Sequence, residues 1–135
     1  MLQRRYITTT QQCGCAGGCA ESVTVSGAEA AQPDRMGTFL KGANVTHGER
    51  PVYQRAGSAA MYLFYWPLTD EWRIGSNYMA SSSGVKSTDS TEAACPDQAT
   101  GWEEFSGGKW VGTYPIAVVR TTVGNAPATS ACGPV

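Results

Sequence analysis

Few residues of this chain could catalyse a reaction. It has a single histidine, His47, so a serine or cysteine nucleophile would have to use that ring as its base. General acid–base catalysis would need paired carboxyl groups, such as Asp70 with Glu71 or Glu103 with Glu104. However, His47 lies in a polar stretch that predicts a turn, and adjacent carboxylates of this kind are usually solvated. We therefore predict that the protein is not an enzyme and has no catalytic residues.

The cysteines could bind a metal or form disulfides. Cys13, Cys15 and Cys19 are closely spaced, as zinc ligands are, but the usual two-residue spacing and a nearby histidine are both missing. Cys13 and Cys15 would form a strained ring if they bonded each other, so they should reach distant partners, of which Cys95 and Cys132 are available. We predict disulfides and no metal or cofactor. Because the count of 5 is odd, one thiol would be free or bonded to another chain.

Two kinds of glycan attachment site are present. Asn44 begins an Asn-Val-Thr sequon and is predicted to lie in a surface turn, where N-glycosylation can occur. Thr8, Thr9 and Thr10 could carry O-glycans. Together with the cysteines, the sequon predicts an oxidising compartment, outside the cell or at its surface.

Charge and hydropathy argue against two classes of partner. The net charge is −1 and the basic residues are scattered, so nucleic-acid binding is not expected. Apolar runs are too short to span a membrane. Charged residues make up only 16% of the chain, which together with the many glycines suits a turn-rich extracellular protein.

Short β-prone segments separated by turn residues recur along the chain. They predict an all-β fold, a small antiparallel sandwich or barrel with a long loop at about 79–101 and an extended N-terminal segment. A polar turn is expected at 44–48 and a helical turn near 91–94. The predicted strands are 23–26, 37–41, 51–55, 61–66, 71–76, 102–105, 109–111 and 116–123.

The aromatic segment 61–66 predicts the central strand. Alternation places Tyr62, Phe64 and Trp66 on one face and Leu63 and Tyr65 on the other. Because both faces are apolar, the strand should be covered on both sides.

The other tryptophans have two interpretations. Trp72, Trp102 and Trp110 could pack in the core, or they could be exposed and stack on sugar rings. Packing in the core is the simpler interpretation, and a carbohydrate-binding surface is the alternative.

Several blocks of this sequence resemble a small module rich in tryptophan and tyrosine, found in large surface proteins of algae, other protists and invertebrates. The blocks are VSG at 25–27, GTF at 37–39, GERPVY at 48–53, YLFYW at 62–66 and WRIG at 72–75, followed by Cys95-Pro96, Trp102 and Trp110. The resemblance implies an extracellular building block without assigned activity. With its cysteine-bearing ends, the chain is also similar to a protomer of a glycosylated extracellular filament.

Domain organisation follows from these patterns. Residues 1–22 are predicted to be an extended segment with a Cys/Gly linker, residues 23–123 a globular module, and residues 124–135 a tail. The N-terminal segment contains Tyr6 and Ile7 in a β-prone stretch that could add as a strand to a neighbouring sheet. We therefore expect a secreted structural module that forms a head-to-tail homopolymer, with carbohydrate binding or adhesion as the alternative.

Overall fold

A computed structural model describes residues 18–57, 60–89 and 92–121. The described residues form nine strands in one antiparallel sheet, which confirms the predicted all-β class. Two 3₁₀ turns, Pro33–Arg35 and Pro96–Gln98, are the helical elements of this part of the chain. Among the described residues, no helix has the length and hydropathy that a membrane span requires. The strands are β1 Ser22–Ser26, β2 Gly37–His47, β3 Arg50–Arg55, β4 Tyr62–Trp66, β5 Glu71–Gly75, β6 Val85–Lys86, β7 Glu103–Ser106, β8 Lys109–Val111 and β9 Ala117–Arg120.

The order of the strands requires the sheet to curl. Strands β1 to β8 follow one another across the sheet, and β9 then pairs with β1, so β8 and β9 lie at opposite edges. Nine strands laid flat would separate these edges by about 38 Å. Residues 112–116, which join β8 to β9, can span only about 21 Å. The sheet is accordingly curled into a half-barrel.

Strand β2 is longer than its sequence predicts. The expected polar turn at 44–48 is wrong, because β2 continues to His47 and the chain turns only at Gly48 and Glu49. Pairing with β3 shifts register between Lys41 and Thr46. Asn44, with φ of 61°, lies in this irregularity, so the residues that resemble a turn form a β-bulge.

The predicted loop at 79–101 is also interrupted. Strand β6 lies within it and pairs with both β5 and β7. The expected helical turn near 91–94 is absent from the described residues there, and a 3₁₀ turn follows at Pro96–Gln98 instead. A two-residue strand has too few positions to show an alternating pattern, so its neighbours in the sheet determine it.

The inner face of the curled sheet holds the main core. Its largest fully buried members include Phe39, Tyr53, Leu63, Trp72 and Ile74. The segment between β6 and β7 packs against this face through Cys95 and Ala99. The carbonyl of Ala93 accepts hydrogen bonds from Trp72 Nε1 and Arg50 Nε, both at 2.9 Å. These bonds hold the long connection against the sheet, which closes the core.

Strand β4 is covered on both faces, as predicted. Leu63 and Tyr65 belong to the inner core. Phe64 is also fully buried but lies outside that cluster, on the outer face. A second group of aromatic side chains covers it, and that group is described below.

Candidate functional site

The outer edge of β9 presents backbone groups that no other described strand pairs with. β9 pairs with β1 and with no other strand of the described chain. The Thr121 N–H donates to Ser22 O at 3.1 Å, which fixes the alternation of the ladder. The backbone groups of Val119 therefore also bond to β1, whereas the N–H and C=O groups of Val118 and Arg120 point away from β1. This edge could accept a further strand.

The side chains of β9 do little to block such an addition. Ala117–Arg120 contains no proline or glycine, and Val119 is 52% exposed on the outer face. The charged side chain of Arg120 is turned away to pair with Asp97, with Nε 3.1 Å from Oδ2. Natural edge strands are usually protected by charged side chains, proline or a bulge. Arg120 is the one charged residue of β9, and its pairing with Asp97 leaves the rest of the strand without such protection.

The opposite edge is better protected. Strand β8 has three residues and begins with the exposed Lys109. The two-residue turn at Gly107 and Gly108 fixes the β7–β8 ladder, so only Trp110 directs its backbone groups outward. Of the two edges, β9 is therefore the more favourable acceptor.

The chain enters the module beside the end of β9. Arg120 Nη2 donates to Gly18 O at 3.4 Å. One residue later, Cys19 forms a disulfide with Cys95, with the Cα atoms 5.3 Å apart. This pair confirms that the chain forms a disulfide, and it anchors the start of β1 to the segment between β6 and β7.

Several predicted functional residues lie outside the described residues. They are the assembly residues Tyr6 and Ile7, the O-glycosylation candidates Thr8, Thr9 and Thr10, and the cysteines Cys13, Cys15 and Cys132.

The predicted N-glycosylation site is accessible. Asn44 and Thr46, the two residues that define the sequon, are both exposed. The positive φ of Asn44 lies in a region that asparagine adopts more readily than most residues.

The three tryptophans considered for sugar binding have different environments. Trp72 is only 1% exposed, because its ring packs in the inner core. The alternative prediction that Trp72 binds sugar is therefore wrong. Trp102 is half-buried against that core and donates its Nε1–H to Ala99 O at 3.2 Å. Trp110 is half-buried near the β8 edge, with Lys86 Nζ 4.5 Å from its ring centroid. The structure does not bring the three rings together as one face.

A different aromatic group lies on the outer face. His47 stacks on Trp66, with ring centroids 5.0 Å apart and planes at 13°. Phe64 and Tyr78 meet the imidazole edge-on, and Tyr62 packs against Tyr78 at 5.2 Å. We call these five residues the outer aromatic cluster.

The outer aromatic cluster is not predicted by the sequence pattern. That pattern predicts a solvated turn at His47 and indicates no role for Tyr78. The shift of register in β2 brings His47 opposite Arg50, beside the aromatic strand β4. The density of aromatic residues was the one signal available, but it does not reveal which loop residues complete the group.

The carboxylates considered for acid–base chemistry are held apart. Asp70 accepts hydrogen bonds from Tyr65 Oη and from the Glu92 backbone N–H. Glu71 pairs with Arg73, 2.8 Å between Oε1 and Nη2. Glu103 and Glu104 point to opposite faces of β7. Neither adjacent pair presents two carboxylates to one substrate position.

No family model, curated protein or solved structure matches this chain.

Proposed function

We propose that the protein is a secreted structural module that polymerises by β-strand addition. The observation that supports this most directly is the open edge of β9, where Val118 and Arg120 direct backbone groups away from the sheet. The β-prone residues 5–10 of another copy would pair with this edge. Backbone hydrogen bonds would supply affinity, and burial of Tyr6 or Ile7 would set the register.

The position of the N-terminal segment supports a polymer. Residues 11–17 separate the β-prone stretch from Gly18 and can span roughly 25 Å when extended. Donor segment and acceptor edge are different surfaces of one chain, so the contact is heterologous. Repetition of such a contact gives an open filament unless the rotation closes a ring.

Two observations support an extracellular site of action. A disulfide between Cys19 and Cys95 suits an oxidising compartment. The exposed sequon at Asn44 would carry a glycan there. The resemblance to modules of surface proteins points the same way.

The test is a charge placed on the acceptor edge. Val119→Lys adds a lysine to an exposed side chain of β9 without removing a β1 hydrogen bond. Leu68→Lys is the matched control, because Leu68 is 87% exposed in the β4–β5 turn. Electron microscopy and light scattering of the full oxidised chain should show filaments for wild type and Leu68→Lys. We expect Val119→Lys to raise the critical concentration at least about tenfold.

Two results would contradict the proposal. One is a wild-type chain that stays monomeric at all concentrations, and the other is Val119→Lys polymerising like wild type. Circular dichroism of Val119→Lys should match wild type, which separates loss of assembly from loss of fold. A synthetic peptide of residues 4–12, added in excess, should shorten wild-type filaments by capping the β9 edge.

A further inference from the structure

The outer aromatic cluster combines a buried base with an accessible rim. Phe64 is fully buried, whereas His47, Tyr62, Trp66 and Tyr78 keep part of their surface exposed. The ring contacts link all five side chains into one group. Mutual packing of this kind limits their rotamers, so a ligand would meet a preformed aromatic surface at little entropic cost.

Polar atoms surround the exposed part of the cluster. His47 Nδ1 lies 2.8 Å from Tyr65 O, which can only accept, so Nδ1 carries the hydrogen. In the neutral ring, Nε2 is then an acceptor. No described residue bonds to Nε2, to Tyr62 Oη or to Tyr78 Oη. One acceptor and two hydroxyl groups are thus available to a ligand.

The cluster makes no cation–π contact with any residue that the structure describes. Those observed within the described chain involve Arg50 with Tyr65 and Lys86 with Trp110, and neither ring belongs to the cluster. The charged side chains nearest in the sheet register are Glu71, opposite Trp66, and Arg73, opposite Phe64. Glu71 pairs with Arg73 at 2.8 Å and lies 3.8 Å from Lys86 Nζ. The cluster itself is therefore aromatic and hydroxyl-rich, and the charges beside it are paired with one another.

We propose that the outer aromatic cluster binds a neutral saccharide. The apolar face of a pyranose ring would lie against Trp66, beside Tyr78, and its hydroxyl groups would bond with His47 Nε2 and the tyrosine hydroxyls. An anionic or cationic ligand would lose hydration here without gaining an unpaired counter-charge. The site is separate from the β9 edge and does not depend on assembly.

The experiment measures saccharide binding to the monomeric form. Val119→Lys is used as the background, so that polymerisation neither hides nor mimics binding. The probes are the neutral hexasaccharides of glucose, mannose and N-acetylglucosamine, with oligogalacturonate as the acidic comparison. Titrations are followed by tryptophan fluorescence and by NMR chemical shifts of the indole N–H groups.

The variants separate stacking from hydrogen bonding. Trp66→Ala should weaken binding at least about tenfold, as expected for loss of a central aromatic contact. His47→Phe keeps a stacked ring but removes Nε2, and should weaken binding by about 2–12-fold, the range of one hydrogen bond. Trp110→Ala is the control on the same face of the sheet, outside the cluster, and should bind like its parent.

Three outcomes would overturn the proposal. No neutral hexasaccharide binds at about 10 mM, or Trp66→Ala binds as tightly as its parent, or oligogalacturonate binds more tightly than every neutral probe. Tyr78→Ser provides a second variant on a loop if Trp66→Ala does not fold. It should also weaken binding.

Discussion

Replacing Glu104 by methionine should stabilise the protein. Glu104 is fully buried in β7, between Val85 and Val111 on the neighbouring strands. Neither of its carboxylate oxygens has a hydrogen-bond partner among the described residues. A buried polar group in this situation costs about 1–3 kcal/mol in protein mutational series. Methionine has a similar unbranched shape and removes that cost while keeping the space filled.

We expect Glu104→Met to raise the free energy of unfolding by about 2 kcal/mol. With an unfolding entropy of about 2.1 cal/mol/K per residue, this corresponds to an increase in Tm of roughly 7 °C. Urea denaturation and calorimetry at pH 7, with the disulfide intact, would measure both quantities. Most single substitutions destabilise, so an increase would be diagnostic.

Two variants control for trivial effects. Glu103→Met makes the same change one residue earlier, on the half-buried outer face, and should alter stability by less than about 0.5 kcal/mol. Glu104→Gln keeps the size but leaves a buried amide without partners, so it should gain much less than methionine. A loss of more than about 1 kcal/mol in Glu104→Met would refute the reasoning, because it would mean that the carboxyl group has a stabilising partner.

Three further predictions concern the rest of the module. Replacing Cys19 and Cys95 by serine removes a disulfide between residues 76 apart in the sequence. It should lower the free energy of unfolding by about 4 kcal/mol, measured against the oxidised wild type in urea. Burial, and secondarily a nearby aspartate, raises the pKa of Tyr53 above its ordinary value. The unfolded chain therefore loses this proton near pH 10 while the folded protein keeps it, so stability should fall above that pH by up to about 1.4 kcal/mol per pH unit. Tyr53→Phe should flatten this slope at about pH 9–11, around the unfolded value. It should also cost about 1 kcal/mol of stability at neutral pH through the lost bond to Ala20 O. Glu49→Gly should raise the free energy of unfolding by about 0.5–1 kcal/mol, and with it Tm. The reason is that Glu49 has φ of 64° in a two-residue hairpin turn that favours glycine. An unchanged or lower Tm for Glu49→Gly would show that the turn carries no strain.

Local residue pattern was sufficient to predict most strands. The two faces of β4 follow from alternation within 61–66, and the hairpin at Gly107 and Gly108 follows from turn chemistry. In both places the information lies within a few neighbouring residues. The all-β class is a consequence of many such short segments.

Features that depend on distant parts of the chain could not be predicted. Strand β6 forms because β5 and β7 flank it, and two residues carry no period of their own. The bulge at Asn44 places His47 on Trp66, although the same residues predict a turn. The partner of Cys19 was open among several cysteines until the fold brought Cys95 within bonding distance. Each case requires knowledge of the sheet as a whole.

The antiparallel pairing of β1 with β9 determines how the module would respond to tension. The chain enters β1 and leaves β9 at the same end of their ladder, where Thr121 N donates to Ser22 O. A force applied to both ends would break these hydrogen bonds one after another, starting at the end of the ladder where the chain enters and leaves. By itself, such a ladder is mechanically weak.

The Cys19–Cys95 bond changes this path. Because Cys19 precedes β1, a pull on the residues before it is transmitted through the sulfur atoms to the segment that carries Cys95. Arg120 and Asp97 tie the end of β9 to the same segment. Tension would thus pass from one terminus to the other through a covalent cross-link and an ion pair, and the β1–β9 ladder would be largely relieved of load.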